Sequence, residues 1–217
     1  MLSKNAAMTW IQPVTLRGAG VTLEPLSQAH HNDLAEAASD GEAWRQWTTS
    51  VPKPEAMAAE IDRRLGLAAA GSMLPFAVLD AGDHAVGMTS YMDIDDANRR
   101  VEIGSTWYRP SVRRTGLNTE AKRLLLTHAF EELDAIAVEF RTHFFNHASR
   151  NAIERLGAKL DGVLRNHRLG PEGTMRDSCA YSIIAAEWPT VKVHLAHLQR
   201  RFVIPSVVEG QPVQRED

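Results

Sequence analysis

A chain of 217 residues suits one domain with a real core, or one domain plus an extension. Apolar residues make up 44% and charged residues 24%, an ordinary soluble composition, and a formal net charge of -3 gives no support to a general nucleic-acid binder. One cysteine, Cys179, excludes an intramolecular disulfide and a cysteine-based zinc cluster, and no N-terminal apolar run is long enough for a signal peptide or membrane span, so a reducing cytoplasm is the expected setting.

Met1 to Gln12 carries little pattern and reads as a leader, with the expected domain running over 13–202. Val14 to Leu26 reads as two short strand pieces around Gly18 and Gly20. Ser27 suits the cap of a helix whose thin apolar face is Leu34, Ala35 and Ala38. His30 and His31 sit in its first turns, and adjacent residues on a helix point to different sides, which argues against a shared metal. Trp44 and Trp47 lie between Asp40-Gly41 and Pro52, with a spacing that puts both indoles on one side of a helical turn. They either plug the edge of the core or wall an acceptor pocket. Met57 to Ala70 is an amphipathic helix, and Gly71 ends it.

Pro75 to Leu79 and Ala85 to Ile94 read as an antiparallel pair turning at Asp80 to His84, and the next strand starts near Arg99. In that strand Val101, Ile103, Ser105 and Trp107 share one face, while Glu102, Gly104, Thr106 and Tyr108 share the other. Pro110 stops it. Arg113 to Asn118 makes a polar turn with Gly116 late in it, directly before Ala121, Leu125, Ala129, Phe130 and Leu133 at helical spacing. Beyond lie a strand over Ile136 to Thr142, a helix over Asn146 to Leu156, strands over Lys159 to Leu169 and Met175 to Ile184, and a helix opened by Glu187-Trp188-Pro189. That terminal helix packs on the sheet by default, a homodimer contact being the alternative, and 203–217 reads as a disordered tail. Strands followed by a strand-helix-strand unit make an α/β layered fold with a mixed sheet.

A strand, a Gly-containing loop and a helix start together present several backbone N–H groups and the positive end of the helix dipole to one point, which suits phosphate. Arg113 and Arg114 add positive charge, and Gly116 lets the backbone approach an anion. The loop lacks the Lys-Ser/Thr pair of a P-loop and the three glycines of a dinucleotide fingerprint, so ATP and NAD are poor candidates. No His/Asp/Glu spacing argues for a metal. Cys179, among strand-like neighbours, reads as a buried inert thiol.

Arg113 to Asn118 resembles the Q/R-x-x-G-x-G/A pyrophosphate loop of the GCN5-related N-acetyltransferases (GNAT), nearest to the branch that acetylates ribosomal-protein N-termini and small amines. Asn118 departs from it, standing where Gly or Ala is usual. A second block, Phe145 to Ala158, is similar to the family's later motif, in which an Asn ends a strand, a helix follows and Leu-Gly closes it. The resemblance implies a GNAT-like layered fold, with a mostly antiparallel sheet of about seven strands flanked by helices. It also implies an acetyl-CoA-dependent N-acetyltransferase acting on a primary amine, small molecule or peptide N-terminus, with no metal, nucleic acid or membrane.

In that reading Arg113, Arg114, Thr115, Gly116, Leu117, Asn118 and Thr119 hold the diphosphate. The edge at Trp107 and Tyr108 takes the pantetheine arm like an added strand, Asn146 bonds it from the far side, and Arg150 reaches a phosphate. Glu102 is the first candidate for the general base, since family members often keep a Glu there. Its alternatives are a charged residue on a solvated strand face or a partner for Arg99 or Arg100, and Glu139 and His143 are reserves. Where many members have a Tyr as general acid, the aligned residue is Ile153. That leaves Ser149, matching the serine of the N-terminal-acetylating branch, with Tyr181 as a third choice. The rival to catalysis is a silent CoA-binding sensor or interaction module.

Overall fold

The first half of the chain builds β1 (Leu16–Arg17), β2 (Thr22–Pro25), β3 (Met73–Leu79), β4 (Ala85–Asp95) and β5 (Arg100–Tyr108) from short apolar or β-branched runs bounded by turn residues. Two helices, α1 (His31–Ser39) and α2 (Met57–Ala69), fall between β2 and β3. Helix and strand alternate afterwards, as α3 (Leu117–Thr127), β6 (Ala137–His143), α4 (His147–Arg155), β7 (Lys159–Leu169), β8 (Met175–Ile184) and α5 (Trp188–Arg200). The computed structural model describes residues 10–170 and 173–200. The tail expected over 203–217 and most of the expected leader lie outside them.

The strands form one eight-stranded sheet in the order β1-β2-β3-β4-β5-β6-β8-β7. Neighbours are antiparallel except β5 and β6, which run parallel. Both faces are covered. Leu34, Met57, Ile61, Met88 and Trp107 form a core under α1 and α2, and Ala121, Leu125, Val138, Val191 and Leu195 belong to the core under α3 and α5. All seven residues of β3 are buried, which is why Met73 to Leu79 is apolar without alternation. Each fully buried Leu, Ile or Val in these cores contributes about 1.5–3 kcal/mol.

Three expectations change. Trp10 and Ile11 belong to the packed molecule and not to a loose leader: Ile11 is in the core, and the Trp10 indole donates to the Leu133 carbonyl at 2.8 Å. Trp44 and Trp47 share no helical face, because only a single turn, Ala43–Arg45, forms there. The helix after the loop ends in a wider turn over His128–Glu132, which carries Ala129 into the core. Helix α5 buries Trp188, Val191 and Leu195 within the chain. No helix among the described residues is long and apolar enough to cross a membrane.

Candidate active site

The parallel pairing of β5 with β6 covers three positions, Arg100↔Ala137, Val101↔Val138 and Glu102↔Glu139, and then stops. From Ile103 to Tyr108 the strands diverge, so the edge of β5 on that side faces a wedge-shaped cleft and has no strand across from it. A cavity of about 740 Å³ occupies the wedge, bordered by Glu102 to Tyr108 on one wall and by Asn146, Ser149, Ala152 and Ile153 of α4 on the other.

The loop after β5 closes one end of this cavity with Val112, Arg113, Arg114 and Asn118. It is anchored from outside: Asp40 accepts from the Ser111 backbone N–H at 3.1 Å and from Arg109 Nε at 3.2 Å, bonds that hold the Asp40 carboxyl below the usual range. Arg114 and Gly116 both adopt left-handed backbone (φ 65° and 94°), and Gly116 is the N-cap of α3, with no side chain to satisfy the first-turn amides. Helix α4 contrasts with it, since the Asn146 side chain caps it by accepting from the Ser149 N–H at 3.0 Å. One helix start is therefore capped by the side chain of its own N-cap residue, and at the other the Leu117 N–H is met by Thr115 Oγ1 at 3.4 Å.

Across the middle, β5 is bulged against β4 between Met88 and Ser90, and Ser105 sits at φ 51°. Left-handed backbone at a non-glycine residue persists only where its surroundings hold it. Here two buried cations do so. Arg64 of α2 donates to the Ser105 carbonyl (3.0 Å) and to Ser90 Oγ (3.1 Å), while Glu60 balances its charge at 2.7 Å. Lys122 of α3 donates to Thr106 Oγ1 (2.7 Å) and Thr89 Oγ1 (2.9 Å). Lys122 borders the cavity, and burial brings its ammonium down to about 7.

Glu102 marks the other end of the cavity, 5% exposed, with Arg141 Nε at 3.6 Å and its Oε2 lacking a hydrogen-bond partner among the described residues. Burial pushes its carboxyl up to about 7; Arg141 pulls it down and the nearby Asp93 pushes it up further. Space for that carboxyl depends on Gly104, where a Cβ would lie 2.8 Å from Glu102 Oε1 and 2.7 Å from Met92 Sδ.

An acetyltransferase (GNAT) domain model matches residues 21–159, more than half of the chain. The chain belongs to the GNAT acetyltransferase family. Over 102 residues it is 36% identical to "Putative ribosomal N-acetyltransferase YdaF" of Bacillus subtilis (strain 168), a stretch that is 47% of this chain and only 55% of that relative. The crystal structure of a GCN5-related N-acetyltransferase from Brucella melitensis is 33% identical with a TM-score of 0.78, over 86% of each chain. RimJ of Mycobacterium smegmatis, solved in complex with CoA-disulfide, is 22% identical with a TM-score of 0.72 over 87% of this chain and 94% of that one, a likeness of fold.

This GNAT chain gathers Glu102, Trp107, Tyr108, Arg113, Arg114, Asn118, Asn146 and Ser149 around one cavity. Thr115, Gly116, Leu117 and Thr119 support it from behind. Leu117 is in the core, Thr115 Oγ1 donates to the Val112 carbonyl at 2.7 Å, and Thr119 Oγ1 is buried against Arg155. Three readings need correction. Arg150 faces away, donating to Tyr181 Oη (3.1 Å) and the Phe144 carbonyl (3.2 Å), and Arg155, which the motif did not single out, borders the cavity in its place. Trp44 packs on the α1–α2 core and Trp47 is 60% exposed against His143 and Phe145, and it is their neighbours Gln46 and Thr48 to Val51 that border the cavity. The bland partner for Arg100 is Glu139, not Glu102.

The reserve residues are occupied elsewhere. Glu139 also accepts from Arg141 at 3.0 Å, His143 Nδ1 accepts from the Phe145 N–H at 3.0 Å, and the Tyr181 hydroxyl donates to Glu154 at 2.8 Å. Lys122 and Arg64 escaped the sequence reading because a Lys and an Arg in amphipathic helices look solvated. The signal available was position: on α3, Lys122 stands three and four residues before Leu125 and Leu126, both in the core. Arg168, Arg176 and His167 also border the cavity near Glu102, and nothing in their sequence context pointed there.

Proposed function

We propose that this protein is an N-acetyltransferase that moves an acetyl group from acetyl-CoA directly to a primary amine, on a small molecule or a protein N-terminus, with Glu102 as general base. One observation carries the reading: a buried carboxyl with an affinity for protons near neutrality stands in the same cavity as Arg113, Arg114 and Asn118, the residues around the glycine-capped start of α3. The loop end fits the donor, whose diphosphate needs N–H donors and positive charge and whose arm needs a free strand edge, and the carboxyl fits the amine. Arg113, Arg114 and the amides of the loop would hold the diphosphate, the edge at Trp107 and Tyr108 the pantetheine arm, and Asn146 the arm's far side. Acetyl-CoA, when bound, supplies an acyl group activated as a thioester.

Glu102 takes the proton that the amine must shed, a role worth on the order of a hundred- to ten-thousand-fold in rate. The hydroxyl of Ser149 is not used in capping α4, because Asn146 caps the helix, and so it is free to donate to the departing sulfur. Ile153, apolar and lining the cavity, supplies no acid. Turnover of acetyl-CoA with a panel of amines and N-terminal peptides tests the proposal, ribosomal-protein N-termini being included because of the name of the Bacillus relative. CoA release that depends on the amine is the expected result. Tight CoA binding without turnover on any acceptor would make the protein a silent CoA-binding module instead.

A further inference from the structure

The end of the cavity around Glu102 has an unusual balance of charge. Arg100 and Arg141 are matched by Glu139 and Asp93: Arg141 reaches Asp93 at 3.0 Å and Glu139 at 3.0 Å, and Arg100 Nε donates to Glu139 at 3.0 Å. Arg165, on the same strand as Arg168, is matched by Asp177 at 2.6 Å. Arg168 and Arg176 have no carboxylate within ion-pair distance among the described residues. They are paired across β7 and β8, each within electrostatic reach of Glu102, and the Arg168 guanidinium disfavours the charge on Arg176.

Arg168 is exposed and Arg176 half-buried, and the strand that carries Arg168 is irregular just before it. Asn166 adopts left-handed backbone (φ 50°), its N–H held by Asp177 at 2.8 Å, and the register of β7 against β8 shifts between Leu164 and Arg168. Such a bulge re-aims side chains, and the consecutive residues His167 and Arg168 both border the cavity. Of the seven buried side-chain atoms without a hydrogen-bond partner among the described residues, four converge here: Glu102 Oε2, Arg141 Nε, His167 Nδ1 and Arg176 Nε. Glu102 Oε2 and Arg141 Nε face each other at 3.6 Å, too far for a hydrogen bond, and buried polar atoms that lack one are uncommon, so their convergence with His167 Nδ1 and Arg176 Nε marks a place suited to an occupant.

We propose that the amine accepted by this protein also carries a carboxylate, which Arg168 and Arg176 bind beside Glu102. The choice of a carboxylate follows from the count: two unmatched guanidiniums face one carboxylate, Glu102, so the side chains at this end leave one positive charge over, which one further unit negative charge offsets. The donor's diphosphate does not fill this role. The loop that would hold it follows Tyr108, six residues along β5 from Glu102, or about 20 Å at the rise of an extended strand. The inference rests on the proposed acetyl transfer. The carboxylate has two sources, the α-carboxylate of a free amino acid or an acidic second residue at a peptide N-terminus.

Matched acceptors decide it: alanine against alaninamide for the first source, and the dipeptide amides Ala-Asp and Ala-Asn for the second. Acetyl transfer is read as kcat/KM, and CoA affinity is measured in parallel. In at least one pair the anionic member should lead by about ten- to a hundredfold, the range of a hydrogen bond to a charged group. Arg168→Gln and Arg176→Gln should collapse that lead while CoA still binds, which shows that the variants are folded. Arg176→Lys should restore part of it, and Arg168→Gln should also move the midpoint of the pH profile upward, because Arg168 favours the ionised form of Glu102. Neutral members that equal or outpace their partners in both pairs, no turnover in either pair with CoA bound, or a lead that survives both Gln variants would overturn the inference. Failure of the wild-type protein to bind CoA at all would sink the acetyl-transfer reading with it, whereas CoA binding without an anionic preference sinks this inference alone.

Discussion

Glu102 gains its proposed role from where its carboxyl is kept. Burial favours the neutral form, so the group ionises near pH 7 where an exposed glutamate would do so near 4.5. A base must be ionised to work, and kcat/KM is therefore expected to rise with pH and level off above about 7. Glu102→Gln should lower kcat on the order of a hundred- to ten-thousand-fold and abolish that rise, with little change in CoA affinity. A rate profile in the variant with the wild-type midpoint would assign the titration to another group. Gly104→Ala should give a milder form of the same defect, because its Cβ would meet the Glu102 carboxyl at 2.8 Å and Met92 at 2.7 Å. The position of Glu102 on the strand leading into the loop was legible in the chain. Its burial was not, since alternation told only which face of β5 it shares with Gly104 and Thr106, not that the face is closed over by Arg141 and Asp93.

At the scale of elements, the two helix starts that border the cavity divide their tasks by one residue each. Asn146 closes α4, and Asn146→Ala should cost about 1 kcal/mol of stability in chemical denaturation, as expected for a lost cap, besides weakening CoA binding. Gly116 caps α3 without a side chain. Gly116→Val forces a β-branched residue to φ near 94° and places a side chain where an anion must approach, so CoA binding measured by calorimetry should be lost while the far-ultraviolet spectrum stays native. Unchanged affinity would detach the loop from the diphosphate. Both helices and the loop between β5 and α3 could be read from local pattern, because caps, glycines and apolar spacing act over a few residues. Arg150 and Arg155 show the limit. Both follow Asn146 in the helix of the second motif, and which of them faces the cleft depends on how α4 rolls against β6 and Tyr181.

For the molecule as a whole, Lys122 ties the helix layer to the middle of the sheet with no carboxylate partner among the described residues. Its folded-state value is depressed from 10.5 to about 7, so the unfolded chain holds more protons between those limits. Stability contributed by this group is therefore fully present above about 10.5 and is lost as pH falls through about 7. Urea denaturation of the wild type should show this contribution growing from pH 7 to 9, and Lys122→Met, which leaves Thr89 and Thr106 bonded to each other at 2.8 Å, should remove the pH-dependent part by up to a few kcal/mol. Equal pH dependence in the two proteins would place the ammonium in water.

Local chemistry by itself determined the strands, the helices, the open loop after β5 and the second motif, because alternation, helical spacing and turn residues are written in neighbouring positions. Only the tertiary structure decided that β5 and β6 part after Glu102, that Arg64 and Lys122 clamp the bulge from two helices, and that Arg168 and Arg176 line the same cavity as Glu102. Those contacts join residues dozens of positions apart, and their energies depend on burial and on which charges remain unmatched. Neither quantity exists until the sheet has closed over them.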